Sequence, residues 1–158
     1  MQRDLFFEDF TVGWTFRTAG ATLSEAQILD FALQWDPQPF HIDRIAAERG
    51  PYGGLIASGF QTLLVAFRLI WGERIINVAS MGSPGMDEIR WLRPVRPGDT
   101  LYVSGEVLDV RESRSRPDRG FVTIRYTVVN QNDEPVMRFT VTHMLRRRAS
   151  GGSSAEDR

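Results

Sequence analysis

The residues predict an α+β domain in which a long antiparallel β-sheet wraps around one central buried helix. Two observations carry that expectation. The stretch from Gly53 to Trp71 is free of charge except for Arg68, and a helix that is apolar all round belongs inside a domain rather than on it. After Ile75 the texture changes to alternating β-branched and aromatic residues. The runs fall at Ile89 to Val95, Leu101 to Val110, Phe121 to Val129 and Val136 to Leu145, each bounded by turn residues. Long antiparallel strands and one apolar helix combine most economically when the sheet curls round the helix.

Each element has a local reason. Thr22-Leu-Ser-Glu25 and Ser24-Glu-Ala-Gln27 are overlapping capping boxes, and Ile28, Phe31, Ala32 and Trp35 follow at helical spacing. A helix is therefore predicted from Ser24 to Trp35. Asp43 suits the cap of a short helix over Arg44 to Glu48, which Gly50-Pro51 stops. The apolar helix is predicted to begin at Gly53-Gly54-Leu55 and to end at Gly72. Pro97-Gly98-Asp99 fits a type II turn, and Arg111 to Gly120 a long polar hairpin loop. Residues 1–148 are expected to form a single domain and 149–158, which are small, polar and charged, a flexible tail.

Composition narrows the function. With 158 residues and 42% hydrophobic content the chain can build one core, and a formal charge of -1 with a pI near 6.1 supplies no field toward nucleic acid or an anionic membrane. Cysteine is absent, which removes disulfides, thiolate nucleophiles and cysteine-ligated metals, and the 2 histidines argue against a zinc site. No window reaches the roughly 18 uncharged apolar residues of a membrane span. Acids interrupt the first ten residues, unlike a signal peptide, so a cytoplasmic location is expected. Neither Gly-x-Gly-x-x-Gly nor a Walker pattern is present.

The chemistry concentrates in Trp35-Asp-Pro-Gln-Pro-Phe-His-Ile-Asp43. Pro37 and Pro39 push Asp36 and Gln38 away from helical geometry, which predicts a stiff, non-helical bend. Acid-base catalysis needs two groups within hydrogen-bond reach of one substrate position, whereas an extended chain would hold Asp36 and His41 ~16 Å apart. The bend must fold back for them to act together. A loop aspartate before proline also serves as a plain turn former. Gly54 and Leu55, at the expected mouth of the buried helix, offer unpaired backbone amides to an oxyanion, or else ordinary turn chemistry. His143 shares a strand face with Phe139, Val141 and Leu145 and reads as a core or edge histidine without a catalytic role.

Asp36-Pro37-Gln38-Pro39-Phe40-His41 resembles the signature of the MaoC-like dehydratases and (R)-specific enoyl-CoA hydratases: aspartate, any residue, asparagine, proline, an aliphatic residue, histidine. Gln38 departs from the usual asparagine and Phe40 from the smaller aliphatic. Arg93-Pro-Val-Arg-Pro-Gly-Asp99 resembles the family's strand turn, and the resemblance extends over Phe7 to Arg148. It implies the hot-dog fold and reversible addition of water to the 2,3 double bond of an enoyl-CoA or acyl-carrier thioester. Asp36 and His41 would share the attacking water, with Gly54 and Leu55 at the thioester oxygen. A hydroxyl further along, Thr62 or its rival Ser58, would brace the site. No metal or cofactor is implied beyond the coenzyme A of the substrate, and the assembly implied is a homodimer or higher homo-oligomer. Arg90, Arg93 and Arg96 become candidates for the coenzyme A phosphates, while Trp35, Phe40 and Tyr52 are expected to shape the acyl pocket. Two other readings stand beside this one. A hot-dog acyl-CoA thioesterase commonly carries an acid on its central helix, and none lies between Gly54 and Trp71. A non-catalytic acyl-thioester binding subunit would have no use for the intact pair.

Overall fold

The structure is a computed structural model that describes residues 3–149, so the expected tail lies, from Ser150 onward, outside the described residues. A 3₁₀ turn (Phe7–Asp9) leads into two short strands, β1 (Thr15–Arg17) and β2 (Ala21–Thr22). The helix α1 (Glu25–Trp35) starts where its capping box predicts: Ser24 Oγ accepts from the Gln27 N–H at 3.2 Å, and Gln27 Oε1 accepts from the Ser24 N–H at 2.9 Å. One turn, α2 (Pro39–Ile42), precedes α3 (Arg44–Arg49), which Asp43 caps by accepting from the Ala46 N–H. Next come α4 (Gly59–Gly72), β3 (Met86–Trp91), β4 (Thr100–Glu112), β5 (Arg119–Val129) and β6 (Pro135–Arg146).

The strands pair antiparallel in the order β1-β4-β5-β6-β3, with β2 also set against β4. Register places one residue type on one face. Val103 lies opposite Val128, Ile124 opposite Val141 and Tyr126 opposite Phe139, and all six are buried. Ile28 of α1 and Ala66 and Ile70 of α4 join them in the same core. This is the hot-dog arrangement, a curled sheet closed over a central helix.

Four details differ from the sequence reading, each for a visible reason. First, α4 starts at Gly59 rather than Gly54, because the intervening backbone is engaged elsewhere. The Ile56 N–H donates to the Phe40 carbonyl at 3.1 Å and the Ala57 N–H to the Val95 carbonyl at 2.7 Å. Second, α4 is buried on one side only: Thr62, Ala66 and Ile70 face inward while Phe60, Leu64, Phe67 and Trp71 form an exposed apolar stripe. Third, the chain after Gln38 is helical, because proline at the first helical position lacks only an N–H that has no partner there anyway. Fourth, the strand expected over Ile89 to Val95 runs Met86–Trp91. The Leu92 and Arg93 N–H groups both turn to the Val136 carbonyl and lead the chain off the ladder.

The remaining turns follow expectation more closely. Asp99 N–H donates to the Arg96 carbonyl at 3.0 Å across Pro97-Gly98, and Gly98 supplies the positive φ, 87°, that a type II turn requires. β4 and β5 extend into the expected hairpin loop and shorten it to 113–118. Ile124 sits at the centre of the sheet and is fully buried. Ile124→Ala is expected to cost ~2–5 kcal/mol of stability in urea denaturation, the range for opening a cavity in a packed core.

Candidate active site

The bend is built from the end of α1. Asp36 is that helix's C-cap (φ −152°, ψ 71°), and Pro37 prevents any further helical turn. The Gln38 N–H then donates to the Asp36 carbonyl at 2.9 Å, while Gln38 Nε2 donates to Asp36 Oδ1 at 2.8 Å. α2 starts one residue later and carries His41 in its only turn. The result is convergence: His41 Nε2 lies 3.3 Å from Asp36 Oδ2, with side chains 5% and 12% exposed.

The tautomer of His41 follows from its other nitrogen. Nδ1 is 2.8 Å from the Ile56 carbonyl oxygen, which only accepts, so Nδ1 carries the proton and donates. A neutral His41 therefore turns the lone pair of Nε2 toward the Asp36 carboxylate. Two acceptors face each other across that gap, an arrangement that is favourable when a proton or a hydrogen-bond donor lies between them.

Ser58 holds the carboxylate from its other side. Its Oγ donates to Asp36 Oδ2 at 2.7 Å and accepts from the Phe60 N–H at 3.2 Å, so one hydroxyl caps α4 and braces Asp36. Burial by itself would raise the Asp36 pKa. The hydrogen bonds from Ser58 and Gln38, joined by the positive charge of His41 when its ring is protonated, outweigh it and hold the carboxyl below the usual aspartate value.

Pair and helix share one open cleft of about 490 Å³, lined by Asp36, His41, Gly59 and Thr62 and walled by Phe40, Tyr52, Phe60 and Trp91. Among the described residues the Gly59 N–H at the start of α4 donates to no protein acceptor and so is open to a ligand. The amides expected at Gly54 and Leu55 are not in this position: Leu55 is buried in the core, and neither residue lines the cleft. The donor moves to Gly59 because the helix starts there. Of the two hydroxyls, Ser58 is the brace. Thr62 only approaches the Ser58 carbonyl, at 3.5 Å.

The other candidates separate cleanly. Trp35 is 72% exposed and lies outside the cleft, whereas Phe40 and Tyr52 form part of its wall. Arg90 donates to the Ile89 carbonyl and Arg96 to the Tyr52 carbonyl, which leaves Arg93 as the arginine that lines the cleft. His143 Nε2 is 2.7 Å from the Tyr126 hydroxyl in the core, where burial pushes its pKa down to about 4. A second groove, about 720 Å³ between α1 and α4, contains Asp30 and Glu73 but no histidine. Sequence reasoning missed Gly59, Trp91 and the Ile56 carbonyl. Ser58 was the available signal, since serine is a favoured N-cap and places the first helical residue at Gly59.

Known proteins resemble this chain over most of its length. The family model for the MaoC like domain matches residues 9–144. The chain belongs to the MaoC-like family. The crystal structure of the MaoC-like dehydratase from Rhodospirillum rubrum superposes with a TM-score of 0.86 at 40% identity, covering 92% of this chain and 99% of that one. The uncharacterized protein YdeM of Bacillus subtilis (strain 168) is 31% identical over 140 residues, 89% of this chain and 98% of its own length. A mesaconyl-CoA hydratase of Cereibacter sphaeroides is 36% identical over 146 residues, 90% of this chain. This MaoC-like chain spans 41% of the length of that enzyme.

Ser58→Ala removes a cap and a donor to a buried carboxylate, and is expected to cost ~1–3 kcal/mol at neutral pH. The folded Asp36 carboxyl releases its proton more readily than that of the unfolded chain. Its contribution is therefore fully present above the unfolded value of ~3.9 and is lost as pH falls through the lower folded value. Denaturation curves at stepped pH should show the gap between wild type and Ser58→Ala widest above that value and narrower below it.

Proposed function

We propose that this MaoC-like protein is a hydro-lyase that adds water reversibly to the 2,3 double bond of an enoyl-CoA or acyl-carrier thioester. The observation that carries the reading is the Asp36–His41 pair, 3.3 Å apart, in one cleft with the unpaired Gly59 amide. A water in the cleft beside Asp36 Oδ2 and His41 Nε2, within reach of both, donates to both. Nε2 takes one of its protons as the oxygen adds to C3, and the π electrons move through C2 to the thioester oxygen, where Gly59 and the positive end of α4 meet the charge. The imidazolium then returns a proton to C2 and the thioester is restored. Asp36 stays ionised throughout, in keeping with its lowered pKa, and stabilises the imidazolium.

The name of the mesaconyl-CoA hydratase relative supports a coenzyme A thioester as the substrate class, and Arg93 is the cleft cation available to an anionic part of such a ligand. α4 has no acid between Gly59 and Trp71, which weighs against thioester hydrolysis. No helix among the described residues is long and apolar enough to cross a membrane.

A homodimer completes the proposal. The exposed stripe of Phe60, Leu64, Phe67 and Trp71 begins at Phe60, whose ring meets Trp91 at the end of β3, an edge strand with one unpaired side. An apolar helix face next to an open sheet edge fits a second copy of itself. Leu64→Asp combined with Phe67→Glu is expected to shift the protein to a monomer in light scattering; an unchanged mass would assign the stripe another role.

The activity test uses crotonyl-CoA, with loss of enoyl absorbance followed alongside release of free thiol. Hydration without thiol is expected. Asp36→Asn and His41→Ala should each lower kcat by ~10²–10⁴-fold, and rates within a few fold of wild type would reject the mechanism.

A further inference from the structure

We propose that Trp91 is a catalytic residue whose indole N–H is the second donor to the thioester oxygen, beside the Gly59 amide. The inference rests on the hydratase reading and adds a residue to it. Its basis is what surrounds Gly59. A Cβ at that position would collide with the pyrrole edge of Trp91, and the atom it would meet first is Nε1. In a helix the Cα–Cβ bond leans toward the N-terminus, which is also the direction in which the first amides point. The indole Nε1 therefore borders the space in front of α4 that the Gly59 N–H faces.

Neither N–H has an acceptor. Among the described residues, no hydrogen bond engages the Trp91 indole or the Gly59 amide. Two donors bordering one space do not stabilise each other, and an oxygen carrying negative charge placed there would satisfy both. Phe60 holds the ring from the side, with centroids 6.0 Å apart in an edge-to-face contact. The backbone also contributes to its aim. The β3–β6 register shifts between Asp87 and Arg90, where Glu88 adopts a φ of 53°. Such a bulge redirects the side chains that follow it, and here Trp91 lines the cleft together with Asp36 and His41. Trp91 is 52% exposed in the single chain, so the ring is not part of that chain's own core.

The test compares Trp91→Phe, which keeps an aromatic plate and removes the N–H, with Asp36→Asn, which leaves both donors in place. Two readouts are needed: kcat and KM for crotonyl-CoA, and the absorption of a bound, unreactive cinnamoyl-type thioester, whose band moves to the red as its carbonyl is polarised. Trp91→Phe is expected to lower kcat by about 10²-fold with KM within about threefold, and to lose much of the red shift. Asp36→Asn is expected to lose rate and retain the shift. A Trp91→Phe enzyme with the full red shift overturns the proposal whatever its rate, because the ring would then act by packing alone. Unimpaired hydration by Asp36→Asn would overturn the hydratase mechanism itself, a result distinct from the first.

Discussion

One hydroxyl group ties the site to the fold. Ser58 Oγ accepts from the Phe60 N–H and donates to Asp36 Oδ2, so the start of α4 and the end of α1 are held by the same atom. A hydrogen bond to a charged acceptor is worth ~1.5–3 kcal/mol, and a buried carboxylate deprived of a donor incurs the full cost of its desolvation. Asp36 is partly buried, its side chain 12% exposed, so its ionised form draws on the donors that Ser58 and Gln38 supply. The same hydroxyl, by accepting from the Phe60 N–H, caps the start of α4 and with it sets which amide faces the cleft. Stability and chemistry meet in one contact.

A backbone strap supplies the second constraint. Ile56 donates to the Phe40 carbonyl and accepts from His41 Nδ1, while Ala57 donates to Val95. These bonds attach α2 to the segment leading from β3 to β4, and they set both the position and the tautomer of His41. A residue with no functional side chain thus determines which imidazole nitrogen faces the carboxylate. Leu92 and Arg93, by turning to the Val136 carbonyl, carry the chain away from the sheet and open the wall of the cleft.

The long strands β4, β5 and β6, α1, α3 and the Asp36–His41 bend were legible in the sequence because their signals are local, whereas the short strands β1 and β2 carried no such signal. Capping boxes, alternating apolar runs and paired prolines each constrain their own neighbours. The start of α4 was not legible in the apolar run from Gly53 onward, because hydrophobicity does not distinguish a buried helix from the buried strap that precedes it. Partners distant in sequence, Phe40 and Val95, decide that Ile56 and Ala57 stay extended. Ser58 carried a local clue that the continuous apolar texture outweighed. Burial of α4 was misjudged for a related reason: an all-apolar helix states that both faces avoid water, and says nothing about whether its own chain covers both. Phe60, Leu64, Phe67 and Trp71 are exposed in the single chain. Trp91 went unnoticed because its relevance comes from Gly59, a contact across the fold.

The hydrogen-bond inventory of the cleft also bears on how water would add. Gln38 occupies Asp36 Oδ1 and Ser58 occupies Oδ2, and the carboxyl is held below its usual pKa, so it is a weak base and a good counter-charge. His41 has one nitrogen committed to Ile56 and the other turned to Asp36 at the cleft. In the proposed reaction a single atom, Nε2, then removes the proton from water and delivers one to C2. Donor and nucleophile sit on the same side of the substrate, so hydrogen and hydroxyl arrive on the same face of the double bond. Hydrolysis would instead require the proton at the departing sulfur, with attack at the carbonyl carbon. A lone carrier beside a fixed anion, with the Gly59 amide open in the same cleft, matches addition to the alkene better than rupture of the thioester.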